Sequence, residues 1–313
     1  MKPTRFVAPR GPFSKRPLAS RLLLAGAVSL LSACGQSEEP QTFTAQSEQE
    51  LEQLMPMLRP GDLLRRGDLS VQVPPAGEGR YVEVLYADGH SEELILQTET
   101  GGKVALVHGI PSAPSRSAQA VGACADGAYT LSGPKWTQPL RWTFNAGTTP
   151  PELTVDAAEA ALRAAASNIT TGNNDCGLAG ATSARHEYQG RAARTANSCD
   201  GQGDGLNAVG FGDIPSGALA VTCSRFSNGA MVESDIRINK AAFKWTTQAD
   251  AAGCSNRFGL TAVMTHEFGH AFGLGHVSEA DHAALTMSTA IGPCDASAST
   301  LGLGDVRAMQ ALY

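Results

Sequence analysis

This chain of 313 residues lacks several features that mark common protein classes. It has no Lys/Arg cluster beyond residue 33, which argues against nucleic acid as a partner and against anionic lipid bound through charge. No two cysteines have the CxxC spacing, so a metal held by cysteines is disfavoured. Internal repeats and a second hydrophobic span are also missing. The ~280 residues after the leader therefore suit one main domain and a small amino-terminal one.

The leader itself has the features of an export signal. Six basic residues precede an apolar segment of ten at 22–31, which is too short to span a bilayer as a permanent helix. The segment ends in Leu-Ser-Ala-Cys at 31–34, which resembles a bacterial lipobox, so cleavage would leave Cys34 as the lipid-bearing first residue. Ordinary signal cleavage after a small residue is the alternative. We expect an extracytoplasmic protein, at the cell surface or in the periplasm, whose lipid anchor is its only membrane contact.

Removing the leader also changes the charge balance. Six of the 24 basic residues and no acidic ones lie in it, so 18 basic residues remain against 30 acidic ones, a net charge of −12. An acidic chain of this kind is a poor ligand for nucleic acid.

The most specific stretch reads HEFGHAFGLGH at residues 266–276. On an α-helix His266 and His270 lie one turn apart on one face, so their ring nitrogens can converge on one ion. Gly273 would let the chain leave the helix and turn His276 back as the third ligand. Glu267 would point beside the metal, where a carboxylate can take and pass on a proton. Three protein ligands leave a fourth position for water, as in a catalytic zinc site.

The HExxH part alone also occurs by chance on ordinary amphipathic helices, where its residues only pack. All five fixed positions over eleven residues are far less often accidental. The extended pattern followed by a methionine turn is the metzincin signature. Met287 follows His276 by eleven residues, and a tight turn would place its thioether beneath the histidines.

On these residues the chain resembles the metzincin zinc metallopeptidases, and among them the matrixins, the matrix metalloproteinase type. The resemblance extends over about residues 134–313. It implies an α+β fold, with a matrixin-like catalytic domain built from a twisted mixed sheet and three main helices. It also implies that Asp305 ties the last helix to the methionine turn. The edge strand along which the substrate lies would contain Gly217, Ala218, Leu219 and Ala220.

Composition and pattern divide the chain into five parts. Residues 1–33 are expected to be a lipoprotein signal peptide, and 34–60 a solvated tether rich in Gln, Glu, Ser and Pro. Alternating apolar runs in 61–110 predict a small β module of two hairpins. A Ser/Pro/Ala-rich linker at 111–125 precedes the catalytic domain at 126–313.

Six cysteines remain when Cys34 is assigned to lipid, and an even number in an exported chain predicts disulfides with 15 possible connectivities. We favour Cys254 with Cys294, because they bracket the zinc helix and the methionine turn. Matrixin zymogens place a propeptide cysteine on the metal, and Cys124 lies at about that place. It lacks the family's Pro-Arg-Cys-Gly motif, and its use would leave five cysteines. We therefore expect Cys124 to be disulfide-bonded and the amino-terminal module not to be a cysteine-switch propeptide.

A polar segment at 199–207 concentrates oxygen ligands and glycines, including Asp200, Asp204 and Asn207. Such residues suit calcium, and they equally suit a polar surface turn pinned by a disulfide. Glu233, Asp235 and Arg237 alternate with apolar neighbours, so a solvated or calcium-related face is expected for them.

The expected function is that of a monomeric zinc endopeptidase that hydrolyses peptide bonds of extracytoplasmic proteins. One alternative is a catalytically silent, lipid-anchored binding protein built on a metallopeptidase domain. Another is a zinc hydrolase that acts on something other than peptide. Glu267 favours an enzyme, because a protein that only binds has no need of a carboxylate there.

Overall fold

The structure is a computed structural model that describes residues 39–108, 110–111, 121–196, 199–214 and 217–313. The expected signal peptide, Cys34 and most of the expected linker lie outside these residues. Residues Pro40–Tyr313 cluster as one unit. Among the described residues, no helix has both the length and the apolar character needed to cross a membrane.

The described part of the chain contains sixteen strands and five α-helices. The strands are β1 Thr42–Ala45, β2 Leu63–Arg66, β3 Leu69–Gln72, β4 Glu78–Tyr86, β5 Ser91–Thr98, β6 Val104–Val107, β7 Ile110–Pro111, β8 Thr130–Leu131, β9 Leu140–Asn145, β10 His186–Arg191, β11 Asn207–Gly212, β12 Ala218–Ser227, β13 Ala230–Asn239, β14 Trp245–Thr246, β15 Phe258–Gly259 and β16 Leu274–Gly275. The α-helices are α1 Glu48–Leu54, α2 Val155–Thr171, α3 Leu260–Ala271, α4 Glu279–His282 and α5 Leu303–Leu312. Short 3₁₀ turns lie at Met55–Met57, Ala146–Thr148 and Ser297–Ser299.

A mixed eight-stranded sheet is the main layer, in the order β10-β9-β11-β13-β12-β4-β5-β6. The pairings from β10 to β13 are parallel, and those from β13 through β12, β4 and β5 to β6 are antiparallel. The long helices α2, α3 and α5 contribute buried residues to the core that includes β9, β11 and β13. A mixed sheet with three main helices confirms the predicted α+β class.

Thr154 is a good capping residue, and apolar residues follow it at the 3.6-residue period from Val155 to Ile169, which predicts a helix over about 154–169; α2 is that helix. Thr154 caps the start by accepting a hydrogen bond from Ala157 N at 3.2 Å, and Gly172 ends the helix in the left-handed conformation. Helix α3 differs, because it is buried almost all round. It runs between the sheet and the other helices, so its polar groups need partners within the protein.

The predicted runs at 81–86, 94–96 and 104–107 form β4, β5 and β6, which belong to the main sheet, whereas β2 and β3 form a separate three-stranded sheet with β1. Strand β4 pairs with β12 in an antiparallel ladder from Glu78↔Ser227 to Tyr86↔Ala218. The module and the catalytic part therefore share one sheet. Without β4, one edge of β12 would be open. The N–H and C=O groups along that edge can be satisfied only by another strand or by water, which explains the pairing.

The prediction that residues 34–60 form a solvated tether is wrong from residue 42 onward, within the residues that the structure describes. Strand β1 pairs in parallel with β2, and Leu51 of α1 and Leu58 are buried in the core of the amino-terminal segment. Ser47 caps α1 by accepting a hydrogen bond from Glu50 N. The composition is polar because α1 exposes its Gln and Glu residues, while a narrow apolar face packs inward.

Three disulfides close loops in the described part, namely Cys124–Cys176, Cys199–Cys223 and Cys254–Cys294. The favoured pair Cys254–Cys294 is confirmed. The expectation that Cys124 is disulfide-bonded is confirmed as well, so this sulfur is not a metal ligand in the structure.

Replacing Leu51 by Ala should lower the free energy of unfolding by about 2–5 kcal/mol, because a fully buried side chain would leave a cavity. Met57→Ala is the matched control, since Met57 is exposed and its loss should change stability by less than about 0.5 kcal/mol. Denaturant unfolding of both variants is the measurement. Equal stabilities would mean that residues 42–58 are the free tether that their composition suggests.

Candidate metal centre

The three histidines of the motif converge because α3 ends between the second and the third. Gly273 has φ +91°, and a Cβ there would lie 3.0 Å from Gly133 O and 2.9 Å from Leu312 Cδ2. The chain then turns back through β16, which brings His276 towards the helix. The Nε2 atoms are 2.9 Å apart for His266 and His270, and 3.1 Å apart for each of these with His276.

Hydrogen bonds on the other ring nitrogens fix the tautomers of His266 and His270 and allow the same tautomer for His276. His266 Nδ1 lies 2.8 Å from Thr286 O and His270 Nδ1 lies 2.9 Å from Leu274 O. A carbonyl oxygen only accepts, so each Nδ1 carries the proton and each Nε2 keeps a free lone pair. His276 Nδ1 lies 3.0 Å from the hydroxyl of Ser91. Carbonyl and hydroxyl partners of this kind orient metal-ligating histidines in general.

Burial keeps these rings neutral. It lowers the pKa of His266 to about 3 and that of His276 to about 4, and it lowers the pKa of His270 well below its ordinary value. Three neutral imidazoles with lone pairs directed at one point repel one another unless a cation lies between them. Two nitrogens bound tetrahedrally to one zinc at ~2.0–2.1 Å are ~3.3 Å apart, close to the spacings here. The donor set therefore fits a zinc ion.

Glu267, the candidate base, is fully buried beside the histidines. Its Oε2 accepts a hydrogen bond from the hydroxyl of Thr222 on β12, and its Oε1 has no hydrogen-bond partner. Burial raises the pKa of Glu267 well above its ordinary value, and the nearby Glu83 raises it further. One carboxylate oxygen is thus held in place while the other is free to take a proton.

Glu83 is the site residue that the sequence reasoning missed. Within the described residues, one group of three or more His, Cys, Asp or Glu side chains has ligand atoms within 4.8 Å of one another: Glu83, His266, His270 and His276. The Oε1 atom of Glu83 lies 3.3 Å from His276 Nε2, and its Oε2 lies 3.8 Å from His270 Nε2. One sequence signal existed, because alternation in β4 puts Glu83 on the same face as Tyr81 and Leu85.

Met287 packs against α3, and Asp305 accepts hydrogen bonds from the turn that carries Met287. A Cβ on Gly269 of α3 would lie 2.3 Å from Met287 Sδ, so the thioether packs directly against the helix that carries the ligands. Asp305 at the start of α5 accepts hydrogen bonds from Thr286 N, Met287 N and Gly302 N at 2.8–3.2 Å. Burial raises the pKa of Asp305, while these backbone donors oppose the shift.

The predicted substrate strand exists but is not an edge in this chain. Gly217 precedes β12, and Ala218, Leu219 and Ala220 begin it. The strand lies between β13 and β4, so both of its sides are paired. The edge prediction is therefore wrong for the full chain, because a segment outside the resemblance occupies that side.

The polar segment at 199–207 shows no gathered calcium site. Asn207 Oδ1 accepts from Ser234 N at 2.7 Å, and Asp204 Oδ1 accepts from Leu206 N at 2.9 Å. These are the contacts of a polar turn, and Cys199 does pin the segment through its disulfide. Calcium binding by Asp200, Asp204 and Asn207 stays a prediction.

The neighbouring charges on β13 are not the solvated face that was expected. Glu233 is buried and pairs with Arg225 at 2.9 Å. Asp235 is also buried and accepts from Ala208 N, and burial raises its pKa to about 8.

Comparison with protein families agrees with the geometry. Residues 209–313 match the family model described as matrixin. No curated protein matches the chain. The centre built on α3, the methionine turn and α5 lies within the matched residues, whereas β9, α2 and Glu83 lie outside them. Residues 209–313 are therefore similar to a matrixin domain, which is a metzincin, zinc-metallopeptidase type of domain.

Replacing Asp305 by Asn should speed the release of zinc and lower the free energy of unfolding by about 1–3 kcal/mol, because an amide NH₂ cannot accept from a backbone N–H. The effect should reach the metal through Thr286, whose carbonyl orients His266. Asp295→Asn is the control, since Asp295 accepts from Ser297 N at the surface. Zinc transfer to a chromogenic chelator measures release. Identical release from both variants would rule out support of the centre by Asp305.

Proposed function

We propose that the chain is a zinc endopeptidase that hydrolyses peptide bonds of proteins outside the cytoplasm. The observation that carries the proposal is the convergence of three Nε2 lone pairs beside a buried carboxylate with one free oxygen. His266, His270 and His276 would hold the metal and Glu267 would act as the base. A structural zinc site has no use for a carboxylate held in this way.

Each residue has a defined part in the hydrolysis. The three histidines would hold a zinc ion, which would supply Lewis-acid polarisation of the scissile carbonyl and lower the pKa of an attacking water to roughly 7. Glu267 accepts the proton of that water on its free Oε1 and delivers it to the departing amine nitrogen. Thr222 holds the other carboxylate oxygen, so Glu267 cannot rotate away from the reacting atoms.

As a substrate, an extended peptide fits this site better than a small hydrolysable molecule does. Strand β12 runs alongside the centre and supplies Thr222, so a segment paired with β12 lies directly over the histidines. Backbone hydrogen bonds of that kind give affinity with little preference for sequence. The silent binding protein remains the main alternative, and the free Oε1 of Glu267 is what favours the enzyme over it.

Replacing Glu267 by Gln should leave zinc bound and lower kcat for an extended fluorogenic peptide by about 10²- to 10⁴-fold, since the amide cannot take a proton. His276→Ala should instead weaken zinc retention, because one of three ligands is lost. Metal content and peptide cleavage are measured on the same preparations, with a chelator added in parallel. For any form of the chain that cleaves the peptide, cleavage by Glu267→Gln at the same rate, in a preparation free of other proteases, would contradict the assigned base.

We also propose that the chain is exported and anchored by lipid on Cys34. The apolar run at 22–31 with its Leu-Ser-Ala-Cys ending supports this proposal, and three disulfides suit an oxidising compartment. The protein would then act at the surface or in the periplasm as a monomer.

Cys34→Ser should move the protein to the soluble fraction or leave it unprocessed, because acyl chains are the expected membrane contact. Fractionation and mass spectrometry of the amino terminus are the measurements. A correctly cleaved Cys34→Ser protein that stayed with the membrane would show that another part of the chain binds the envelope.

A further inference from the structure

Strand β4 lies in the place that a substrate would need. In the sheet order, β12 has β13 on one side and β4 on the other. Without β4, β5 and β6, β12 would be the edge strand beside the histidines. The antiparallel ladder to β4 runs along the whole of β12, from Ala218 to Ser227. An intramolecular strand thus uses the backbone groups that would bind an extended peptide.

One face of β4 is directed at the metal centre. Side chains alternate along a strand, so Tyr81, Glu83 and Leu85 share a face while Val82 and Val84 pack in the amino-terminal core. The hydroxyl of Tyr81 lies 2.8 Å from His270 Nδ1. Glu83 is opposite Thr222 in the register, and its carboxylate oxygens lie 3.3 Å from His276 Nε2 and 3.8 Å from His270 Nε2.

The carboxylate of Glu83 has no protein partner of opposite charge among the described residues. Both of its oxygens are buried and no donor reaches them; the side chains around them are those of His270 and His276 and a second carboxyl group, that of Glu267. An unpaired carboxylate buried in this way costs several kcal/mol. The buried Glu233 shows the contrast, because Arg225 and Gly205 N satisfy it. A cation between Glu83 and the three Nε2 atoms would balance the charge.

From these contacts we infer that Glu83 is the fourth metal ligand of the intact chain. We infer also that β4 keeps the enzyme latent, because Glu83 occupies the metal position that water needs and β4 pairs with β12, the strand that would bind the substrate. This inference rests on the proposed zinc endopeptidase. Opening would be a ligand exchange, in which the Glu83 carboxylate leaves the metal and one water enters. The disulfide Cys124–Cys176 removes the alternative closure by a cysteine.

The test uses the full chain loaded with cobalt(II) in place of zinc, because cobalt reports its ligands in the visible spectrum. The variants are Glu83→Ala and Glu83→Gln, and the control is Glu78→Gln. Glu78 lies on the same strand five residues away, about 17 Å along β4. Circular dichroism confirms folding, and Glu83→Gln, the closer isostere, serves if Glu83→Ala does not fold.

Acetohydroxamate is the probe for an open metal position, since it needs coordination sites that Glu83 would block. We expect no spectral change with the probe for the wild type and Glu78→Gln. For Glu83→Ala we expect an altered spectrum and at least about tenfold tighter probe binding. Cleavage of an extended peptide should rise in the same variant, though less, because β4 still pairs with β12.

Two results would overturn the inference. Equal spectra and equal probe binding in the wild type and Glu83→Ala would show that Glu83 is not on the metal. Loss of cobalt from a folded Glu83→Ala protein would show that all four ligands are needed to hold the metal. The site would then be structural and not an active site that Glu83 inhibits. Failure of the proposed function looks different: Glu83→Ala would bind the probe, yet neither it nor the wild type would cleave any peptide.

Discussion

The convergence of three imidazole Nε2 atoms on one point is the constraint on which the rest of the catalytic part depends. Each ring needs an acceptor for its Nδ1 proton, and Thr286 O, Leu274 O and the Ser91 hydroxyl supply these. The turn that carries Thr286 is held in its place by the carboxylate of Asp305. The interior around α3 thus positions lone pairs as well as apolar side chains.

Buried carboxylates are the second organising feature, because each needs compensation in a low-dielectric interior. Asp305 is satisfied by three backbone N–H groups. Glu233 is satisfied by a buried arginine. Glu267 has one partner and one free oxygen, and Glu83 has none. Glu83 lies 3.3 Å from His276 Nε2 and 3.8 Å from His270 Nε2, as expected if an ion completes the set.

The sequence predicted the fold of the catalytic part well because that information is local. The 3.6-residue period and a capping threonine predicted α2, and two cysteines flanking the motif predicted Cys254–Cys294. The amino-terminal part was predicted less well. Its hairpins were expected as a separate module, yet β4 pairs with β12, and its polar leading segment contains the buried Leu51. Alternation indicates which strands exist but not which edge they pair with.

Residue spacing alone predicted that the three histidines, Glu267, the glycine turn and Met287 lie together. It could do so because all of them lie on one helix and the loop that follows it. Only the tertiary structure decided that Glu83 joins them. Nearly two hundred residues separate it from the motif, and no periodicity links a strand to a distant helix. The ladder between β4 and β12 brings them together. That pairing minimises exposed backbone groups across the whole sheet, so no short segment of the sequence encodes it.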